Sequence, residues 1–430
     1  MKNYLIMTSS TSNMLKGDNL LKENSINTVL VPAPKEYGSV CAIAIRVSEQ
    51  DLEKSKELLK SHDVNVEGIY EDLHEKLDNI VKKLKDKHIS LEFKEITKSI
   101  EEGKELAYED VLYLLKTDRP AEQEALFELA DEMRKKVVGD VVDIRGAIEF
   151  SNYCIKDCNY CGLRKDNLEL ERYRMSEDEI LEIVNDIKNM GLKTVILQSG
   201  EDPHYTKEIM GNILKRIKNE TGLKITLSIG ERELEEYEYF KSCGADNYLL
   251  KIETTNKAIF DEIHPDGDME NRLKCIQKIK SLGYLNGNGA IIGLPMQKEE
   301  DIAKDIMFFK DMGINMIGIG PFVPAKNTPY ENLPHGDVRM TLKAVAVTRL
   351  VCQRVFIPAT TALLTVDRSA QAKALISGAN SLMLVNTPET YRENYVIYSN
   401  KSEVGLDYAI ESIKEAGRKL PLYLTKSKEV

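Results

Sequence analysis

From residue 142 onward, short apolar runs alternate with amphipathic stretches, and this repeat constrains the fold more than any other feature of the sequence. The apolar runs predict strands and the stretches between them predict helices. The predicted strands occupy residues 142–150, 194–197, 224–229, 247–252, 289–294, 316–321, 354–358 and 381–385. Strands that alternate with helices run parallel, so the repeat predicts an α/β protein with a closed TIM-type (β/α)8 barrel. An open doubly wound sheet would give a similar pattern and is the alternative.

Two regions precede the predicted barrel. Residues 1–72 show the order βαββα, which is typical of a small α/β sandwich domain. Residues 73–140 combine a highly charged linker with a helical segment, in which Pro120 starts a clear helical run over residues 121–138. The barrel, with a C-terminal helix, is expected to fill residues 141–430.

Composition excludes several classes of protein. The 430 residues carry a formal net charge of −11, whereas a nucleic-acid surface needs a basic face. No apolar run approaches the roughly 20 residues of a membrane span, and the amino-terminal residues make a poor signal peptide. We therefore expect a cytoplasmic protein with neither nucleic acid nor membrane as partner.

Three of the seven cysteines fall within eight residues, in the C-x3-C-x2-C segment Cys154, Cys158 and Cys161. Clustered cysteines in a cytoplasmic protein indicate metal binding or catalysis more often than disulfides. Thiolates are the usual ligands of iron–sulfur clusters, and three of them on one loop leave the fourth iron of a [4Fe–4S] cubane open. Zinc is less suited, because its sites favour four ligands and no fourth Cys or His lies nearby. The other alternative is three unrelated core thiols.

Polar residues follow the predicted strands at the end of the barrel where function usually resides. Gly200 permits close backbone approach, and Ser199 and Glu201 beside it offer acceptors for an ammonium group. Glu253 follows the fourth strand, and Arg272 has the planar fork that suits a carboxylate. The alternatives are an acidic helix start for the first segment and surface ion pairs for the last two residues.

These segments together resemble the radical S-adenosylmethionine (SAM) superfamily, in the branch that holds the HydE maturases of [FeFe]-hydrogenases, biotin synthase and methylornithine synthase. The resemblance covers roughly residues 105–420. It is carried by Phe150-Ser-Asn-Tyr-Cys, Cys161-Gly-Leu-Arg, Arg172-Tyr-Arg-Met-Ser, Leu197-Gln-Ser-Gly-Glu-Asp-Pro, Glu270-Asn-Arg-Leu, Gly318-Ile-Gly-Pro-Phe and Ile357-Pro-Ala-Thr-Thr-Ala.

The resemblance implies cofactors and their ligands. A [4Fe–4S] cluster on the three loop cysteines would bind SAM and cleave it reductively to a 5′-deoxyadenosyl radical. Tyr160 would pack on adenine, and Ser199, Gly200, Glu201, Glu253 and Arg272 would hold the rest of SAM. A reductant such as ferredoxin or flavodoxin, and other hydrogenase maturation proteins, are the implied partners.

The resemblance also implies a polar internal cavity for a small organometallic precursor of the hydrogenase cluster. The matching positions are Thr226, Lys251, Met316, Thr360, Thr361, Met383, Tyr395 and Tyr398. Such residues are also ordinary core components, since methionine fills gaps well. The chain departs from the family pattern at Asn247 and Lys251, where many members carry arginines, so the cavity loses bidentate carboxylate recognition while the SAM site is unchanged. No cysteine follows Cys352, and we therefore expect a single cluster.

Two alternatives to a maturase stay open. One is a mutase or lyase acting on a free amino acid, as methylornithine synthase does. The other is a sulfur or metal carrier, because residues 1–72 resemble a selenium/sulfur-carrier-like domain that ends its motif in Ser39-Val-Cys41. For Cys41 itself we favour a buried strand cysteine over a carrier thiol, and Cys243, Cys275 and Cys352 are expected in the core.

Overall fold

The computed structural model of the chain describes residues 3–8, 11–32, 43–72 and 89–426. Within them the strands form a four-stranded antiparallel sheet near the amino terminus and a seven-stranded parallel sheet. The motif Ser39-Val-Cys41 and most of the predicted charged linker lie outside the described residues.

The amino-terminal unit has the order βαββαβ. Its elements are β1 (Asn3–Thr8), α1 (Thr11–Glu23), β2 (Val29–Pro32), β3 (Ile43–Ser48), α2 (Leu52–Ser61) and β4 (Val66–Asp72). The strand order β2-β3-β1-β4 places β1 in the centre, where it pairs antiparallel with β3 and β4. The last strand is absent from the sequence prediction, because the charges and glycine of VEGIYED mask its alternation.

Three helices connect this unit to the barrel: α3 (Leu91–Glu101), α4 (Tyr108–Lys116) and α5 (Pro120–Val138). Pro120 occupies the first turn of α5, as predicted, where the missing N–H has no partner to lose. The buried face of α5 packs against a long helix of the barrel, α12 (Val338–Cys352).

The parallel sheet consists of β5 (Asp143–Ser151), β6 (Thr194–Ser199), β7 (Lys224–Ser228), β8 (Asn247–Leu249), β9 (Leu285–Ile292), β10 (Met316–Pro321) and β11 (Ser381–Val385). The other barrel helices are α6 (Glu177–Asn189), α7 (Lys207–Thr221), α8 (Leu234–Ser242), α9 (Lys257–Ile263), α10 (Met269–Ser281), α11 (Glu299–Asp311), α13 (Thr361–Val366), α14 (Ala370–Leu375), α15 (Glu389–Arg392), α16 (Leu406–Glu415) and α17 (Leu422–Lys426). The sheet follows the order β10-β9-β8-β7-β6-β5-β11, so consecutive strands from β5 to β10 are neighbours and β11 pairs with β5.

Residues 354–359 close the barrel between β10 and β11. Ile317 N donates to the Phe356 carbonyl at 2.8 Å, and Ala359 N donates to the Ser381 carbonyl at 2.9 Å. The segment forms isolated bridges and not the predicted strand, since Pro358 has no N–H and Gln353 enters it with a φ of 48°. The predicted (β/α)8 barrel is confirmed, with its eighth position filled by this irregular segment.

Alternate residues of the barrel strands face the helices and the lumen, as a strand period of two requires. In β5, Ile144, Ile148 and Phe150 belong to the large core between sheet and helices, whereas Arg145 and Glu149 alternate with them. The carboxyl ends of the strands meet at one end of this lumen, where the cysteine loop follows β5.

The amino-terminal unit contacts the opposite end of the barrel. Leu15 of α1 lies directly over Gly283, where an added Cβ would be 1.9 Å from Leu15 Cδ2. Ile43 packs against a buried cluster of Leu285, Met316 and Phe356 at the amino ends of the strands. The unit therefore covers the amino-terminal end of the lumen, at Leu285, Met316 and Phe356. We call this end the floor of the barrel, and it is remote from the cysteine loop. Among the helices of the described residues, none has the length and apolarity that a bilayer span requires.

Candidate active site at the carboxyl end of the barrel

The three loop cysteines line one cavity of about 400 Å³ at the carboxyl end of the barrel. Lys156 N and Glu201 N each donate to Cys154 Sγ at 3.4 Å, so backbone dipoles support negative charge on this sulfur. Gly200 brings the end of β6 against the loop, because a Cβ there would lie 2.3 Å from the Tyr153 carbonyl oxygen. Only glycine permits this approach.

Burial makes three thiolates unfavourable here without a compensating cation. Burial raises the pKa of Cys154, and it raises that of Cys161 to about 12. Burial also holds the pKa of Cys158 well above its usual range, and the charges of the other two thiols raise it further. Bound metal reverses this balance, since a coordinated thiol loses its proton.

The donor set fits an iron–sulfur cluster by its chemistry and placement. Across the described ranges, no three His, Cys, Asp or Glu side chains are gathered as a single metal ion would require. A cubane is held differently, because each thiolate binds its own iron and the sulfurs stand apart at the corners. Three cysteines on one loop, facing one cavity, suit that arrangement.

An ion-pair network lies beside the cysteine loop. Arg272 Nε donates to Glu231 Oε1 at 2.5 Å, and its Nη1 donates to the Lys251 carbonyl at 2.6 Å. Glu201 Oε1 accepts from Glu231 N at 2.9 Å, and Lys156 Nζ lies 3.7–3.8 Å from both carboxylates. Burial raises the pKa of Glu201. The network thus offers acidic and basic groups side by side to a zwitterionic ligand.

Glu253 is held in a left-handed backbone conformation, with a φ of 63°. Its Oε2 lies 2.8 Å from Lys251 Nζ. The next turn is fixed by Asp305 of α11, whose Oδ1 accepts from Thr255 N at 2.6 Å and from Thr255 Oγ1 at 2.7 Å. Such strain at a non-glycine residue persists only where surrounding contacts enforce it.

Six of the predicted substrate residues line the cavity together with the cysteines. They are Lys251, Thr360, Thr361, Met383, Tyr395 and Tyr398. All the predicted SAM ligands line it too: Tyr160, Ser199, Gly200, Glu201, Glu253 and Arg272. Gly318 and Gly320 also line the cavity, and a Cβ on Gly320 would lie 3.0 Å from Thr360 Oγ1.

Thr226 and Met316 are not among the residues that line this cavity. Thr226 Oγ1 accepts from Asn247 Nδ2 at 2.9 Å, and Met316 Sδ lies 3.2 Å from Arg145 Nη1. Thr226 is the middle residue of β7 and Met316 is the first residue of β10, so neither lies at the carboxyl end of its strand. Their assignment to the substrate cavity therefore has no support from their position.

A strap of residues 386–404 crosses the cavity and carries Tyr395 and Tyr398. Gly162 N donates to the Ile397 carbonyl at 3.2 Å, which ties the strap to the cysteine loop. Lys401 Nζ forms a buried ion pair with Glu149 Oε1 of β5. The strap thus closes one side of the lumen.

The remaining cysteines of the described residues stand apart from the loop. Cys243 and Cys275 are buried in the core, as predicted, and Cys352 packs partly buried against it. None of the three lines the cavity. Cys41 lies outside the described residues.

Two family models match the chain. A model described as Radical SAM superfamily matches residues 148–309, and one described as Se/S carrier protein-like matches residues 3–71. The [FeFe] hydrogenase maturase subunit HydE of Thermotoga maritima is 48% identical to this chain over 278 residues, which are 65% of this chain and 80% of that protein. The chain belongs to the HydE family of radical SAM enzymes.

Solved structures share the fold of this HydE-family chain. A methylornithine synthase aligns with a TM-score of 0.68 and 23% identity, covering 78% of this chain and 100% of the other. HydG from Carboxydothermus hydrogenoformans, an FeFe-hydrogenase maturase, aligns with a TM-score of 0.67 and 22% identity, covering 76% and 79%. Membership of the radical SAM superfamily implies an iron–sulfur cluster and SAM as cofactors.

Several polar residues of this HydE-family site carry no motif that would reveal them in the sequence. Lys156 and Glu231 complete the ion-pair network, and Asp305 fixes the turn after Glu253. His264 is buried with its Nδ1 3.1 Å from Cys158 Sγ. Burial, with the charges of Arg272 and Lys156, lowers its pKa to about 3, so the imidazole is neutral.

Proposed function

We propose that this chain is a radical SAM maturase of the HydE type, acting in [FeFe]-hydrogenase cluster assembly. One observation carries the proposal: the thiols of Cys154, Cys158 and Cys161 line the same cavity as Glu201 and Arg272. A single [4Fe–4S] cluster on the three thiols, with SAM on its open iron, would supply the electron that cleaves SAM to a 5′-deoxyadenosyl radical.

The residues beside the loop would bind and orient SAM. Its methionine moiety carries an ammonium and a carboxylate, and the network offers an acceptor at Glu201 and a guanidinium at Arg272. A guanidinium has five N–H donors, so Glu231 and the Lys251 carbonyl leave capacity for a ligand carboxylate. Tyr160, which lines the cavity beside Phe322, offers an apolar face to adenine.

The deeper part of the cavity would hold the substrate. Lys251 supplies a positive charge, while Thr360, Thr361, Tyr395 and Tyr398 supply hydroxyls. This lining suits a small anionic or thiol-bearing precursor, including an organometallic one. We expect a ferredoxin- or flavodoxin-type electron donor, contacts with other maturation proteins and a cytoplasmic location.

Anaerobic reconstitution with iron and sulfide tests the proposal. The wild-type chain should bind four irons, consume SAM when reduced and support in vitro maturation of an apo-hydrogenase. Replacing Cys154, Cys158 and Cys161 together by alanine should abolish iron binding and SAM cleavage. The matched control is Cys243→Ala, a cysteine outside the cavity, which should retain both. Iron retained by the triple variant would reject the cluster assignment.

The in vitro maturation assay distinguishes this proposal from the alternative, a mutase or lyase that acts on a free amino acid. One observation favours the alternative: Asn247 donates to Thr226 Oγ1 and brings no positive charge to the lumen. Normal SAM cleavage by a wild-type chain that never matures an apo-hydrogenase would reject the maturase role and keep the enzyme class.

A further inference from the structure

His264 is fixed against the cysteine loop by hydrogen bonds on both sides of it. Asn159 N donates to the Ile263 carbonyl at 2.9 Å, and Asn159 Nδ2 donates to the Glu262 carbonyl at 2.7 Å. Asp157 N donates to Asp266 Oδ2 at 3.1 Å. The two segments therefore form one rigid unit, although more than 100 residues separate them in the chain.

The imidazole of His264 has a closed environment. The residue is 4% exposed, and its ring contacts the rings of Tyr160 and Phe260, with centroids 5.6 and 4.7 Å away. Gly267 leaves no space behind it, since a Cβ there would lie 2.8 Å from His264 Cβ. The Nδ1 atom is thus held 3.1 Å from Cys158 Sγ.

The contact selects one tautomer of His264 when the thiol is a metal-bound thiolate. Such a sulfur has no proton and only accepts hydrogen bonds, so Nδ1 must carry the imidazole proton. Nε2 is buried without a hydrogen-bond partner among the described residues. A proton on Nε2 would leave a buried N–H unpaired and direct the Nδ1 lone pair at the sulfur, and both effects are unfavourable.

We propose that His264 is a positioning residue that donates Nδ1–H to Cys158 Sγ and raises the reduction potential of the cluster. Reduction adds negative charge to the cluster and its thiolates, so a donor stabilises the reduced state more than the oxidised one. Hydrogen bonds to cluster sulfurs are among the features that set such potentials. The inference rests on the proposed cluster at Cys154, Cys158 and Cys161.

A redox titration of the reconstituted full-length chain, followed by electron paramagnetic resonance, tests the inference. His264→Phe keeps the ring shape without the donor, and the ratio of reduced to oxidised cluster at a fixed potential should fall about tenfold, or 59 mV for one electron. His264→Asn places an amide N–H near the Nδ1 position and should restore most of the ratio. The control is His62→Phe, an exposed histidine of the amino-terminal unit, which should match the wild type.

Two results of the redox titration would overturn the inference. One is an unchanged ratio in His264→Phe with full iron content, and the other is an equal shift in the Phe and Asn variants, which would indicate packing alone. Wild-type chain labelled with [15N]histidine gives a check that needs no variant. The reduced cluster should show electron-spin-echo coupling to that nitrogen, and absence of coupling would also reject the contact. If the wild-type chain forms no cluster at all, the proposed function fails instead.

Discussion

At the scale of single residues, Gly200 determines whether the end of β6 can reach the cysteine loop. A side chain here would meet backbone, with the Tyr153 carbonyl oxygen 2.3 Å from the added Cβ and Cys154 Cβ at 2.7 Å. Backbone cannot move aside as cheaply as the tip of a flexible side chain, so the loop itself would have to shift.

We predict that Gly200→Ala reduces the iron bound after reconstitution to less than half while the barrel stays folded. The substitution displaces Cys154, and a cubane tolerates little error in the position of its ligands. Iron and sulfide content, together with far-ultraviolet circular dichroism, measures both effects. Gly405→Ala is the control, since an added Cβ there meets nothing within 4 Å and the φ of −84° suits alanine. Full iron content in Gly200→Ala would contradict the prediction.

Asp305 is a second residue whose environment predicts a testable effect, namely the direction in which stability changes with pH. Burial raises its pKa to about 7, and the charges of Asp301 and Glu253 contribute. An unfolded aspartate has a pKa of about 4. Between these values the folded chain binds more protons than the unfolded chain, so this group lowers stability as pH rises from about 4 to about 7.

We predict that Asp305→Asn makes the melting temperature less dependent on pH. The amide oxygen can still accept from Thr255, and the neutral side chain avoids a buried charge at pH 8. The variant should therefore be at least as stable as the wild type at pH 8, and its advantage should shrink at pH 5. Calorimetry at both values measures this, with Asp311→Asn on the exposed end of the same helix as control. A variant that loses stability equally at both values would contradict the argument.

At the scale of elements, the sequence predicts regular strands well and irregular ones poorly. The strands at β6, β10 and β11 have apolar runs with clear ends, and their predicted positions agree with the structure within two residues. In β9 the run Asn286-Gly-Asn-Gly hides the first half, because asparagine and glycine are rare in strands. Close neighbours explain the glycines, since a Cβ at Gly289 would lie 2.0 Å from the Gly318 carbonyl oxygen.

The same division holds for the candidate site. The C-x3-C-x2-C spacing indicates the cysteine loop in the sequence. The alternation of strands and helices indicates the polar residues at the strand ends. The contacts of His264 with Cys158 and of Lys401 with Glu149 join residues 106 and 252 positions apart. Only tertiary packing creates such pairs, and no local pattern encodes them.

The strap of residues 386–404 depends on one such pair. Lys401 Nζ pairs with Glu149, whose side chain is buried beside Thr387. We predict that Lys401→Met lowers the free energy of unfolding by about 3 kcal/mol, because it leaves a buried carboxylate unpaired. Combining it with Glu149→Gln should recover most of the loss, and urea titration of the single and double variants measures it. A double variant no more stable than Lys401→Met would contradict a role for the pair.

At the scale of the whole molecule, the two ends of the barrel have different neighbours. The cysteine loop, the ion-pair network and the strap surround the carboxyl end, while the amino-terminal unit covers the floor. This unit has its own core, which includes Ile6, Met14 and Ile45. Its contact with the barrel is therefore a docking of two packed parts, in which Ile43 contacts both the core of the unit and the floor of the barrel.

We predict that Ile43→Asp separates the amino-terminal unit from the floor without affecting the cluster. A carboxylate against Leu285, Met316 and Phe356 would lose its solvation and gain no partner there, so the interface should open. Hydrogen exchange should then accelerate in the backbone at the amino ends of β9 and β10, while iron content after reconstitution stays at the wild-type level. Val29→Asp is the matched control, since it adds the same charge at a 44% exposed position of the same sheet. Unchanged exchange in Ile43→Asp would show that the floor is closed by the barrel itself.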